Sequence, residues 1–306
     1  MSANTEARIW FITGTSSGLG KALTESVLAA GEVVVAAVRN PASLAELQSR
    51  YPDPKLVVCQ VDVADVDQIN KAFETIKTRF GRLDVVVNNA GYAVSGEIEG
   101  IPDDAARRQF DVNFWGPVNV CKQAVKFFRD VNPSGRGGRI VNMSALVGYT
   151  ALPWLAFYSA SKFALEGFTH ALNQEMRPEW NIKALIIEPG GVATKIVDNF
   201  VSFPPPPAYS DPSSPSQAFK ELAFGPNRVW VNVSDRIAKA VMRIVDEPEP
   251  PLRLQLGTDA WIYVGRMAKQ TLEDGKKWED LTHSTGADGF DKETVMKMFG
   301  ASSAEE

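Results

Sequence analysis

Little in this chain points to disulfides, metals or nucleic acid. Its 306 residues hold two cysteines, Cys59 and Cys121. That is too few for a disulfide framework and fits a reducing cytosol, so a cytoplasmic location is expected. Only two histidines occur, His170 and His283, which all but excludes a histidine-based metal site. No basic tract is present and the net charge is −5, so nucleic acid would find no electrostatic footprint. Long apolar runs are missing too. The run Ile9-Trp10-Phe11-Ile12 is too short for a signal-peptide core or a membrane span, and Met1 to Ala7 is short and polar. There is no internal repeat. What is there is 44% hydrophobic and 23% charged, the balance of a globular protein, at a length normal for one α/β domain.

The chain alternates strand and helix patterns. Arg8 to Thr13 is apolar and runs into Thr13-Gly14-Thr15-Ser16-Ser17-Gly18-Leu19-Gly20, after which Lys21 to Ala30 has helical spacing. A glycine-rich turn between strand and helix lets the backbone come close to a ligand and presents free N–H groups to a pyrophosphate. Glu32 to Val38 is a second, apolar strand. At its end, where a carboxylate would hold a ribose 2′-hydroxyl, stands Arg39. A guanidinium there suits a 2′-phosphate, Ser16 offers a hydroxyl, and NADP(H) is expected over NAD(H).

Further strands are expected at Lys55 to Val61, ending in Asp62-Val63, and at Leu83 to Val87, ending in Asn88-Asn89-Ala90-Gly91. Others fall at Gly138 to Met143, at Ile182 to Glu188 before Pro189-Gly190, and at the edge, Leu252 to Leu256. Helices are expected at Asp65 to Phe80, Asp103 to Val131, Pro153 to Met176, Val233 to Glu247 with Ser234 as N-cap, and Asp259 to Leu272 with Trp261, Val264 and Ala268 as a packed stripe. The regular alternation gives a parallel sheet with right-handed crossovers, and ligands bind at the carboxyl ends of its strands. Asn113, in an apolar helical setting, is either a helix-distorting structural residue or part of a site.

Tyr158 and Lys162 lie one helical turn apart in Tyr158-Ser159-Ala160-Ser161-Lys162. An ammonium beside a phenol favours the phenolate and draws its pKa down toward the working range. With the glycine turn, Asn88 to Gly91, Asn113 and Pro189-Gly190 with Thr194, the pair resembles the short-chain dehydrogenase/reductase family over roughly residues 8–195. The resemblance implies a Rossmann-type, doubly wound parallel sheet of about seven strands with helices on both faces and a C-terminal substrate-lid extension. It implies that Asp62 and Val63 flank the adenine and that Asn89, with Ala90 and Gly91, borders the cofactor. Lys162 would bind the nicotinamide ribose, Asn113 hold a proton-relay water, Thr194 contact the carboxamide, and Val192 lie beside it. The end of the second strand and Phe163 to Gly167 look most like the NADP-preferring branch near 17β-hydroxysteroid and retinol dehydrogenases. Many relatives pair through the helices after the fourth and fifth strands, and a homodimer is expected.

One position departs from the pattern. Where the family carries its serine stands Ala145, with Ser144 just before it. On a regular strand Ser144 faces away from Tyr158, whereas a bulge or rearranged loop turns it inward to act as the catalytic serine. Lys195 to Arg228, with Pro204 to Pro207, is expected to contain no regular helix and to be either a solvated linker or a lid over the substrate (196–232). A tail at 300–306 should be disordered. Trp115, Trp154, Phe157, Phe200 and Trp230 belong either to the core or to a pocket for a lipophilic or aromatic carbonyl compound. Two alternatives stay open: a repurposed cyclase or isomerase, and a cofactor-binding regulator.

Overall fold

The computed structural model describes residues 6–193 and 200–298. The expected tail at 300–306 and Thr194 lie outside the described residues. The chain groups into two compact units, Met1–Trp261 and Ile262–Glu306, where the sequence suggests one domain.

The first unit is built on β1 (Ile9–Thr13), α1 (Gly18–Ala29), β2 (Val33–Val38), α2 (Ala45–Arg50), β3 (Leu56–Gln60), α3 (Val66–Phe80) and β4 (Val85–Asn88). Then come a two-residue β5 (Val94–Ser95), α4 (Asp103–Phe110), α5 (Gly116–Asp130), β6 (Gly138–Met143), α6 (Ala156–Glu175) and β7 (Ile182–Pro189). It ends with β8 (Val201–Ser202), α7 (Pro215–Phe224), α8 (Ser234–Ile244), β9 (Arg253–Leu256) and the start of α9 (Thr258–Lys277). Seven strands form one parallel sheet in the order β3-β2-β1-β4-β6-β7-β9. Successive strands are added to one side of β1 and then, from β4 on, to the other, so the crevice for a ligand is expected at the ends of β1 and β4.

Strand periodicity divides the core between two faces. Trp10 and Ile12 pack with Leu23 and Val27 of α1 and Ile237 and Val241 of α8. Ile9 and Phe11 point the other way, toward Ile69, Phe73 and Ile76 of α3 and Phe127 of α5. Both faces are covered, which is why β1 reads as an unbroken apolar run. Helix α3 starts where Asp65 accepts from the Asp67 and Gln68 amides (2.9 and 3.1 Å) and stops at Gly81, φ 66°.

Four expectations change. The helix expected over Asp103 to Val131 is interrupted by a π turn at Asp111–Trp115, with Asn113 at its centre. Pro117, lacking an N–H, cannot supply the usual i+4 donor to the Asn113 carbonyl. Helix α7 forms where prolines seemed to forbid one, because Pro215 occupies the first turn, where no N–H is needed, and none follows it before Phe224. Ser234 is the first helical residue of α8 rather than its cap; Val233 takes that place with no side-chain bond. Trp261 does not pack in a stripe but is 69% exposed. The second unit contributes the remainder of α9, α10 (Glu279–His283) and α11 (Lys292–Met298).

Candidate active site

The turn after β1 is held from a distance. The Thr13 hydroxyl accepts from the amides of Asn89 and Ala90 (both 3.0 Å), and the Asn89 side-chain amide donates to the carbonyls of Thr13 and Gly14 (3.0 and 3.2 Å). Gly14 has φ 70°, and a Cβ there would stand 2.8 Å from Ala90 Cα. A Cβ on Gly20 would collide with Asn89 Nδ2 and the Gly14 carbonyl. Asn89 is therefore a strut that shapes the turn, and the glycines make room for it. The Thr15 hydroxyl is fully buried with no hydrogen-bond partner among the described residues. Ser16 and Ser17 are exposed or nearly so at the mouth of the turn, with Gly18 and Leu19 opening α1, whose N-terminus no side chain caps. Arg39 is exposed at the end of β2. Asp62 accepts from the Ala64 amide (3.0 Å), and Val63 is buried against Gly116 at the start of α5.

Beneath the turn, polar groups knit β4, β6 and α6 together. Asn88 donates to Asn142 (2.8 Å), Asn142 to Thr169 (2.8 Å), and Thr169 to the Leu165 carbonyl (2.6 Å), all buried. Asn142 escaped the sequence reading. Its signal was a polar amide inside the apolar run Ile140 to Met143.

Asn113 sits at the centre of the π turn, and its side chain ties two segments together. Its Oδ1 accepts from the Tyr92 amide (3.1 Å), and its Nδ2 donates to the Tyr92 carbonyl (2.9 Å) and to Ser161 Oγ (3.2 Å). The side chain is thus fully engaged, locking the segment after Gly91 to α6. Lys162 reaches the same place: a Cβ on Gly91 would lie 3.1 Å from Asn113 Oδ1 and 3.8 Å from Lys162 Nζ.

Lys162 is buried, donates to the Met143 carbonyl (2.8 Å), and lies 5.7 Å from the centroid of the Tyr158 ring. Burial brings the ammonium down to about 8, opposed by the negative charge of Glu166. The expected lowering of the phenol is not found among the protein's own groups. Burial pushes Tyr158 up to about 12, while the lysine lies toward the ring and a main-chain carbonyl. Tyr158, like Phe200, Phe219 and Phe224, packs against the buried cluster of Ala93, Trp154 and Leu155.

Ser144 is bound to a carboxylate of α6. Its hydroxyl donates to Glu166 Oε1 at 2.6 Å in a buried setting. A hydroxyl whose proton is held by a carboxylate has only lone pairs left to offer. Ala145 stands in extended backbone, φ −163°. Glu166 also accepts from Arg253 (3.1 Å), which lies 3.6 Å from the buried Glu188. Burial raises Glu188 to about 7, although it accepts from Gln255 (2.5 Å). Neither carboxylate was singled out in the sequence, although Glu188 follows the apolar run Leu185 to Ile187.

β7 ends at Pro189, Gly190 follows it, and Val192 forms a bridge to Asn232. Of the aromatic candidates, Trp154 and Phe200 stack near Tyr158 (centroids 6.1 Å apart), with Phe224 5.4 Å from each. Phe157 packs instead beside Val94 and Ile101. Trp230 lies against Gly191, and Trp115 is half exposed on the π turn. The segment after residue 200 is not a solvated linker. β8 pairs with β5, and Ser216 and Gln217 both donate to the buried Glu97 (2.7 Å each).

A family model described as short chain dehydrogenase matches residues 8–204. The chain is similar to an uncharacterized oxidoreductase of Schizosaccharomyces pombe, 36% identical over 288 residues, 94% of each chain. A short-chain dehydrogenase structure from Streptomyces avermitilis superposes with a TM-score of 0.83 at 30% identity, covering 93% of this chain and 100% of that one. A Burkholderia cenocepacia short chain dehydrogenase in complex with NADP shares the fold (TM-score 0.68, 22% identity, 89% and 97% covered). The chain belongs to the short-chain dehydrogenase family and is an oxidoreductase of that family. Among the described residues no helix is long and apolar enough to cross a membrane.

Proposed function

We propose that the protein is an NADP(H)-dependent reductase of carbonyl groups on lipophilic or aromatic compounds, or of the reverse reaction. The observation that carries this is the buried Lys162, fixed on the Met143 carbonyl beside Tyr158 and within reach of the Asn113 turn. A buried ammonium with one hydrogen bond is costly as structure alone. The dinucleotide fits the residues present. The orphaned Thr15 hydroxyl and the uncapped start of α1 offer donors for phosphate oxygens. Arg39, with no carboxylate beside it in the sequence, favours a 2′-phosphate. The NADP bound to the Burkholderia cenocepacia relative agrees with this. Gly18, Leu19, Asp62, Val63, Ala90, Gly91, Pro189, Gly190, Val192 and Thr194 complete the binding set.

Bound nicotinamide supplies the hydride. Tyr158, held protonated by burial, delivers its proton to the carbonyl oxygen, and Lys162 keeps positive charge beside the phenolate that results. The Asn113 carbonyl, deprived of its i+4 donor by Pro117, is the acceptor that holds a water to return the proton. Phe200, Phe219 and Phe224, which share with Tyr158 the cluster of Ala93, Trp154 and Leu155, would act as a lid that selects apolar substrates. A cytoplasmic homodimer paired through α4, α5 and α6 completes the reading; sizing of the purified protein checks it.

Ser144 favours a second reading. With its proton on Glu166 and alanine at 145, the carbonyl oxygen has one donor fewer, as in a repurposed enzyme or a regulator that binds NADP(H) without turnover. The deciding assay follows NADPH oxidation against lipophilic ketones, aldehydes and quinones, with NADH alongside. Turnover lost at least 100-fold in Tyr158→Phe supports the reductase. Tight NADPH binding with no turnover on any compound favours the second reading.

A further inference from the structure

We infer that Asp259 and Asn232, which lie beyond the matched family segment, are positioning residues for the loop 189–193 on the nicotinamide side of the cofactor. The inference rests on the dinucleotide reading above. Two consecutive glycines, Gly190 and Gly191, make this loop costly to hold in one conformation. Asp259 Oδ2 accepts from the Gly191 amide at 2.7 Å, and Oδ1 accepts from Asn232 Nδ2 at 2.8 Å. The same Asn232 amide donates to the Gly191 carbonyl at 3.0 Å. Its backbone continues the grip: Asn232 N donates to Gly191 O (3.3 Å) and Ala193 N to Asn232 O (3.2 Å). Gly190 N is held separately by Leu256 O (3.0 Å).

The surroundings are shaped for the carboxylate. A Cβ on Gly190 would collide with it, and a Cβ on Gly257, φ 123°, would stand 2.6 Å from Asp259 Oδ1 and 2.5 Å from Asn232 Oδ1. The amides of Gly190, Gly191 and Ala193 are thus all consumed by protein acceptors. Among the described residues, the Val192 amide is the one in this run left with no bonded acceptor. The clamp therefore spends its own hydrogen bonds so that one N–H in the loop stays available for an amide oxygen of the cofactor.

The test separates the two halves of the cofactor. Dissociation constants are measured by calorimetry for NADPH and for adenosine 2′,5′-bisphosphate, which carries the adenosine half alone, on wild type, Asp259→Ala and Asn232→Ala. NADPH should bind about 10- to 100-fold more weakly to Asp259→Ala, the loss expected for a charged hydrogen bond. The bisphosphate should bind within about twofold of wild type, since its site lies at the ends of β1 and β2. Should Asp259→Ala not fold, the isosteric Asp259→Asn keeps the volume, sets an amide donor against the donors of Gly191 and Asn232, and should show the same split. Equal weakening of both ligands, or of neither, in a folded variant overturns the proposal. Wild type that binds neither ligand overturns the cofactor reading, and this proposal with it.

Discussion

Replacing Lys162 by methionine should change the stability of the protein in a way that depends on pH. Lys162 is 5% exposed, and burial lowers it from 10.5 to about 8. The unfolded lysine keeps its proton up to its ordinary value, whereas the folded one releases it above about 8. Between these values the unfolded chain binds more protons, so the stability of the wild type rises with pH; below about 8 the full penalty applies. At 1.36 kcal/mol per unit, the gap amounts to roughly 3 kcal/mol at pH 7. Lys162→Met removes that penalty but leaves the Met143 carbonyl without its donor, a loss of about 1–3 kcal/mol that does not vary with pH. The stability of the variant relative to wild type should therefore fall by about 2–3 kcal/mol from pH 7 to pH 10. Tyr158 titrates in both proteins and cancels. Urea unfolding without added dinucleotide, at pH 7, 8, 9 and 10, measures it. A constant difference across that range would refute the account of Lys162 as a buried, strained cation.

Gly20→Ala should lose about 2–4 kcal/mol of thermal stability together with dinucleotide binding, since its methyl meets Asn89 and the Gly14 carbonyl; a variant that melts like wild type contradicts the strut. Ala145→Ser adds a hydroxyl on extended backbone, and turnover of a carbonyl substrate should rise by up to about 100-fold; unchanged kinetics would mean the position does not face the reacting oxygen. Arg39→Ala should raise the KM for NADPH about 10-fold or more and leave that for NADH nearly unchanged. Equal effects on both cofactors would remove Arg39 from the phosphate site.

The sheet was legible because each strand is an apolar run closed by a glycine, proline or polar residue, and β6 is read from the sequence residue for residue. The cofactor turn was legible because its glycines are spaced for strand, turn and helix. What stayed hidden depends on contacts between segments far apart. Ser144 could be placed only once Glu166 was seen beside it, because alternation along a strand says nothing of a loop's final course. Asn113 looked ambiguous because the π turn it sits in has no period of its own in the sequence. Helix α7 was missed because a proline was read as a breaker where it sits in a first turn. The phenol's rise was missed because the helical spacing of Tyr158 and Lys162 predicts proximity, while burial decides the sign.

The strut between Thr13 and Asn89 bears on how the protein is made. The groups that define the turn are separated by 76 and 77 positions in the chain. Residues 1–50, though they carry every glycine of the motif, contain only half of the fastenings. During synthesis the turn has no fixed shape until β4 has emerged and taken its place beside β1. A long loop must then close before the crevice exists, a slow kind of contact for a chain to find. A glycine motif of this type is therefore not a portable module: grafted without its asparagine partner, it would carry the signature without the socket.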